Sequence, residues 1–122
     1  MRIYESAEDY LEAILVLQEK NGYVRSIDIA NELNYSKPSV SIAMKKLRTN
    51  GYIKMDENSF ITLTDEGRQI ANRIYERHRI LTKLFVALGV SEETAANDAC
   101  QIEHHLSDET WSKLKKFTQT HF

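Results

Sequence analysis

Apolar residues recur at helical spacing through Ala7, Tyr10, Leu11, Ile14 and Leu17, which predicts a helix from Ser6 to about Lys20, with Ser6 and Asp9 arranged like a capping box. Asn21-Gly22 ends that helix. Ser26 is placed to cap a short second one through Ile27, Ile29, Ala30 and Leu33, and Asn34-Tyr35-Ser36 then predicts a turn. Ser36 as N-cap and Pro38 in the first turn open a third helix, whose buried stripe is Val40, Ala43, Met44 and Leu47 and which stops at Asn50-Gly51. Two β-type runs follow, Tyr52 to Met55 and Phe60 to Leu63, joined by the polar Asp56-Glu57-Asn58-Ser59 as a hairpin. Thr64-Asp65-Glu66-Gly67 begins a long helix with apolar positions Ile70, Ile74, Leu81, Leu84, Phe85 and Leu88, lasting to about Gly89. Ser91 starts another, to about Leu106, and Ser107 starts a last one containing Trp111, Leu114 and Phe117.

Two short helices joined by a tight turn and followed at once by a hairpin form the layout of a winged helix-turn-helix, in which the second helix enters the major groove. The expected fold is therefore mainly α. Residues 1–70 form the winged helix-turn-helix with its small hairpin wing, and residues 71–122 an all-helical domain. The hairpin runs directly into the long helix, with no flexible linker between the halves.

Charge sharpens this picture. The net charge of −2 argues against a generic nucleic-acid coat, but from Ser36 to Lys54 there are five cations (Lys37, Lys45, Lys46, Arg48, Lys54) and no Asp or Glu. On the third helix Ser36, Lys37, Pro38, Ser39, Ser41, Ile42, Lys45 and Lys46 lie off the apolar stripe. Hydroxyls and N-terminal amides suit phosphates, lysines supply salt-dependent attraction, and Ser39 or Ile42 can meet base edges of double-stranded DNA. With no Arg, Asn or Gln in the first two turns, affinity should lean on phosphates and DNA shape. A helical hairpin that merely happens to be basic is one competing explanation and a winged helix that serves as a protein-interaction module is another, and loss of binding with rising salt separates DNA binding from the latter.

Composition excludes several classes. A chain of 122 residues with 42% hydrophobic and 28% charged residues, 4 Gly and 1 Pro should fold, and it is too short for a large multidomain enzyme. Apolar runs such as Ala13 to Leu17 are far below the roughly 20 residues of a membrane span. The N-terminal Met1-Arg2-Ile3-Tyr4-Glu5 leads into a charged amphipathic stretch rather than a secretory signal. The single cysteine, Cys100, excludes an internal disulfide and points to a reducing, cytoplasmic setting.

A second constellation is chemical. Cys100, Glu103 and His104 stand at i, i+3 and i+4, which puts a thiol, a carboxylate and an imidazole on one face of the predicted fifth helix. Asp9 and Glu12 stand at i, i+3 on the first helix, and His78 sits on the long one. Each alone is a weak signal; Cys100 by itself reads as a small buried hydrophobe. Together they offer mixed oxygen, nitrogen and sulfur donors, enough for a five- or six-coordinate first-row ion such as Mn²⁺ or Fe²⁺. His105 points off that face and His121 lies in a terminal segment expected to fray; neither is assigned to the site.

Ser6-Ala7-Glu8-Asp9-Tyr10-Leu11-Glu12, Leu63-Thr64-Asp65-Glu66-Gly67, Arg77-His78-Arg79-Ile80-Leu81 and Cys100-Gln101-Ile102-Glu103-His104-His105-Leu106-Ser107 together resemble the diphtheria toxin repressor and manganese transport regulator family. The match runs through nearly the whole chain, in order. The resemblance implies a homodimeric repressor of palindromic operator DNA, with a dimerising helical domain and Mn²⁺ or Fe²⁺ as corepressor (Zn²⁺, Co²⁺ or Ni²⁺ as substitutes in vitro). It also implies Asp9, Glu12, His78, Cys100, Glu103 and His104 as metal ligands. Cys100 matches the iron branch of the family, whereas Asp9 and Glu12 match the manganese branch. The ancillary site of the iron branch falls on Thr82 and Ala96 here, so the resemblance does not extend to it, nor to that branch's SH3-like third domain.

These residues suggest a control mechanism: Asp9, Glu12 and Glu103 bring negative charges that repel when no ion is present, and a divalent ion reverses the repulsion. Leu81, Leu84, Phe85, Leu88, Ile102, Leu106, Trp111, Leu114 and Phe117 are many large apolar groups for a half-chain of helices, which favours pairing with a second copy. Two other functions compete. Cys100-x-x-Glu103-His104 differs by one residue from the H-x-x-E-H motif of zinc hydrolases, but the candidate ligands leave no open metal position and no catalytic residue is assigned. The other is a winged-helix regulator that answers to a small ligand or to oxidation of Cys100 instead of metal.

Overall fold

The computed structural model describes residues 5–121; Met1 to Tyr4 and Phe122 lie outside the described residues, and the reading of the N-terminal stretch lies there with them. The elements are α1 (Glu5–Asn21), α2 (Ser26–Leu33), α3 (Lys37–Thr49), β1 (Ile53–Met55), β2 (Ile61–Leu63), α4 (Asp65–Ala87), α5 (Glu92–Ile102) and α6 (Asp108–His121). Two compact units divide after Asn72, within α4.

In the first unit α1 packs on α2 and β2, α2 on α3, and α3 on β1. Leu11, Ile14, Val24, Ile29, Val40, Met44, Ile53 and Ile61 are all but fully buried and make its core. Helix α1 is already running at Glu5, so Ser6 lies inside it instead of capping it, and Glu5 and Glu8 suit the positive end of the helix. Its buried face is wider than the expected stripe, because Ala13 and Leu15 belong to an unbroken apolar run and are buried too. Burial raises the pKa of the Tyr10 phenol, and Tyr35 and Asp9 push the same way.

Helix α2 starts one residue earlier in function than expected. Arg25 holds the cap position, and the Asp28 carboxylate accepts its backbone N–H at 2.9 Å, so Ser26 is the first helical residue. Ile27 is exposed rather than part of the stripe, since two positions on a helix are about 200° apart and Ile29 takes the inward side. Asn34 closes the helix in the left-handed region (φ 58°), a conformation asparagine tolerates, and this makes the turn tight.

The strands pair antiparallel with Ile53 opposite Leu63, Lys54 opposite Thr62 and Met55 opposite Ile61. Asp56 Oδ1 accepts the N–H groups of Asn58 and Phe60, each at 2.9 Å, which shapes the wing tip. Thr64 then joins three segments: its N–H donates to the Tyr52 carbonyl, its hydroxyl donates to the Gly51 carbonyl at 2.7 Å, and its oxygen accepts the Gly67 N–H. Gly67 is required there, because a Cβ would run into the Tyr52 carbonyl oxygen.

In the second unit α4 ends in a Schellman turn: Gly89 is at φ 102°, its N–H reaches the Val86 carbonyl, and the Val90 N–H reaches that of Phe85. Ile74, Leu81, Ala95 and Ala99 are buried, yet Leu88 is 73% and Phe117 50% exposed, with Val86 and Ile102 also exposed. Helix α5 stops at Ile102, short of the expected Leu106, and a turn follows. The departure has a polar cause: the buried Arg77 takes the carbonyls of Glu103 and Leu106, while the His105 N–H reaches back only three residues, to Ile102. His121 is helical instead of frayed, its ring stacked on Phe117 at 4.0 Å between centroids. None of the described helices is long and apolar enough to cross a membrane.

Candidate metal centre and nucleic-acid interface

The nucleic-acid face is built on α3. Ser36 caps it, with Oγ accepting the Ser39 N–H at 3.3 Å and donating to Ser39 Oγ at 2.8 Å. Its first turn carries no acid, so the positive end of the helix faces outward uncompensated. Val40, Met44 and Leu47 face the core, and Ser36, Lys37, Pro38, Ser39, Ser41, Ile42, Lys45 and Lys46 are all exposed. Two further cations belong to this face. A hollow between α2, α3 and the wing is lined by Arg25, Lys45 and Arg48, and the Arg25 guanidinium lies 4.3 Å over the Phe60 ring, whose edge also meets Tyr23. Arg48 belonged to the basic run but sits beyond the assigned turns, and Arg25 gave only the signal of a lone cation in a short loop.

The metal-type donors divide between the two units. Asp9 and Glu12 sit half-buried on α1, one turn apart on one face. In the second unit His78 of α4 meets the end of α5: its Nδ1 is 2.9 Å from Glu103 Oε2. His104 Nε2 lies 3.4 Å from Glu103 Oε1, and Cys100 Sγ is within 4.8 Å of the same carboxylate. Cys100 is exposed, not the small buried hydrophobe that a lone cysteine suggests. Glu103 is the C-cap of α5 and His104 follows it in the turn, so the trio straddles a helix end instead of lying on one continuous helix. The backbone of Glu103 stays in the helical region (φ −59°, ψ −25°), which preserves the i, i+3 relation to Cys100.

Glu103 decides what this cluster can hold. Its side chain is fully buried, and Oε1 accepts no hydrogen bond from the described residues. A buried carboxyl oxygen without a donor is costly unless a cation comes to it. Imidazole, thiol and carboxylate donors together suit a first-row divalent ion, so these residues fit a metal. Thr82, at the position of the ancillary site, turns its hydroxyl back onto the His78 carbonyl at 2.7 Å.

Two family models match the sequence: the iron dependent repressor N-terminal DNA binding domain over residues 2–59, and the iron dependent repressor metal binding and dimerisation domain over residues 64–121. The transcriptional regulator MntR of Escherichia coli O157:H7 is 40% identical over 117 residues, covering 96% of this chain and 76% of that protein. An uncharacterised HTH-type transcriptional regulator of Methanocaldococcus jannaschii is 38% identical over 118 residues, 94% of each chain. A solved manganese-dependent transcriptional repressor in complex with manganese aligns with a TM-score of 0.82 at 30% identity, over 93% of this chain and 52% of that one. The chain thus spans about half the length of that repressor.

Proposed function

The chain belongs to the iron-dependent repressor family of metal-dependent transcriptional repressors, and from that premise we propose that it represses genes of metal-ion homeostasis as a cytoplasmic homodimer loaded with Mn²⁺ or Fe²⁺. The observation that carries the metal half of this reading is the buried Glu103 carboxyl, with one oxygen lacking a donor and two imidazoles and a thiol around it. His78, Cys100, Glu103 and His104 supply donors from the second unit, and Asp9 and Glu12 supply carboxylates from α1. A bound divalent cation offsets these negative charges and imposes directional bonds on them. Because the donors come from both units, loading favours the arrangement in which the two α3 helices of a dimer meet successive major grooves, about 34 Å apart. Ser36, Lys37, Pro38, Ser39, Ser41, Ile42, Lys45 and Lys46 then face the palindromic operator, with hydroxyls and lysines on phosphates and Ser39 and Ile42 at base edges. Coupling between metal and DNA of about 1–3 kcal/mol suffices for such a switch.

The exposed thiol of Cys100 favours one competitor, a regulator that responds to oxidation. Substituting Asp9→Ala and His104→Ala tests the choice, read by fluorescence anisotropy of an operator duplex selected from random DNA. The metal reading expects both variants to lose Mn²⁺-stimulated binding while keeping the weak basal affinity of α3. Stimulation that survives both substitutions contradicts it.

A further inference from the structure

Arg77 is a cation with 5% of its surface exposed, and arginine is seldom buried without partners that justify it. Its partners are concentrated in one place. One guanidinium nitrogen lies 3.2 Å from the Glu103 carbonyl and 3.1 Å from that of Leu106, the other lies 3.2 Å from the Asp108 carboxylate, and the group sits 5.4 Å over the Trp111 ring. The Glu103 and Leu106 carbonyls belong to the link between α5 and α6, just past a helix end whose last carbonyls lack partners of their own, and Asp108 opens α6. The Asp108 side chain is almost wholly exposed, so its ion pair is screened by water and the two carbonyl contacts hold the link. The next residue along α4, His78, meets the Glu103 carboxyl. Successive α4 residues thus grip one amino acid, Arg77 by its backbone and His78 by its side chain.

We propose that Arg77 is a positioning residue for the metal donors Glu103 and His104: it fixes the backbone at the end of α5 before the ion arrives, without itself being a ligand. The inference rests on the metal reading above. The two carbonyls converge on one terminal guanidinium nitrogen and the carboxylate on the other, whereas lysine has a single nitrogen that ends about one bond short of that place and cannot serve both sides of the fork. Groups that orient metal ligands typically influence affinity by about 10–100-fold.

The test compares the full chain with Arg77→Lys and Asp108→Asn, using Mn²⁺ titration calorimetry and amide hydrogen exchange of residues 103–108 in metal-free protein. Arg77→Lys is expected to weaken Mn²⁺ binding about tenfold or more at unchanged stoichiometry, with faster exchange in the link and none of that acceleration in α1 to α3. Asp108→Asn, which retains an oxygen acceptor, should stay within about threefold of wild type. An Arg77→Lys affinity within about threefold of wild type overturns the proposal, whatever the exchange shows. Exchange in the unaltered chain keeps it testable if Arg77→Lys does not fold: the link must already be protected without metal, and protection that appears only with Mn²⁺ overturns it. Wild-type protein that takes up no Mn²⁺ overturns the metal reading itself, and the inference with it.

Discussion

Glu103 concentrates the chemistry of the second unit in one side chain. A carboxyl group with no surface exposure is a poor choice for stability alone, because an apolar residue of similar size would fill the space without the cost of desolvation. Its retention makes sense if the cost is recovered on metal binding. Glu103→Gln keeps the shape and removes the charge of a ligand, so Mn²⁺ affinity should fall by at least about 100-fold, beyond the usual loss when a group that only orients a ligand is removed, while the metal-free protein melts no lower than wild type. Calorimetric titration and a thermal melt check both halves. The sequence marked Glu103, His104, Cys100 and His78 through residue type and spacing. It did not mark Arg77 as a structural partner, because its acceptors lie 26 to 31 positions away and two of them are backbone carbonyls that any residue carries.

At the scale of elements, local chemistry was legible and long-range chemistry was not. Ser36 and Pro38 announce α3, Asn34 the turn before it, and the β-type runs Tyr52 to Met55 and Phe60 to Leu63 around a polar tetrad the wing, because each signal acts within a few residues. The end of α5 was misjudged since nothing in Glu103-His104-His105-Leu106 breaks a helix; the break is imposed from α4. The same holds for Arg25, whose stacking on Phe60 joins a loop to the wing across 35 positions. Gly67 shows how tightly the wing meets α4. Gly67→Ala places a methyl group against the Tyr52 carbonyl and should destabilise the first unit by about 1–3 kcal/mol, the usual cost of overpacking. A denaturant melt reads that loss directly, and an unchanged midpoint would mean that the backbone there yields.

For the molecule as a whole, both units leave large apolar side chains exposed, Tyr23, Ile27, Tyr35 and Ile42 in the first and Val86, Leu88, Ile102 and Phe117 in the second, with Leu88 the most exposed of all at 73%. The family model over the second unit describes a dimerisation domain, and its four exposed side chains are the natural material for that contact. Leu88→Glu should shift the protein toward monomer in sedimentation velocity and weaken operator binding, since a single winged helix loses the second half-site; an unchanged dimer would place the interface elsewhere. The most direct test of metal control is an anaerobic titration of the metal-free chain with Mn²⁺ and with Fe²⁺, alongside anisotropy of a palindromic duplex with and without chelator. Saturable uptake accompanied by DNA affinity that rises with metal and falls with chelator is the expected result. DNA binding indifferent to both would leave the winged helix standing and contradict the metal switch.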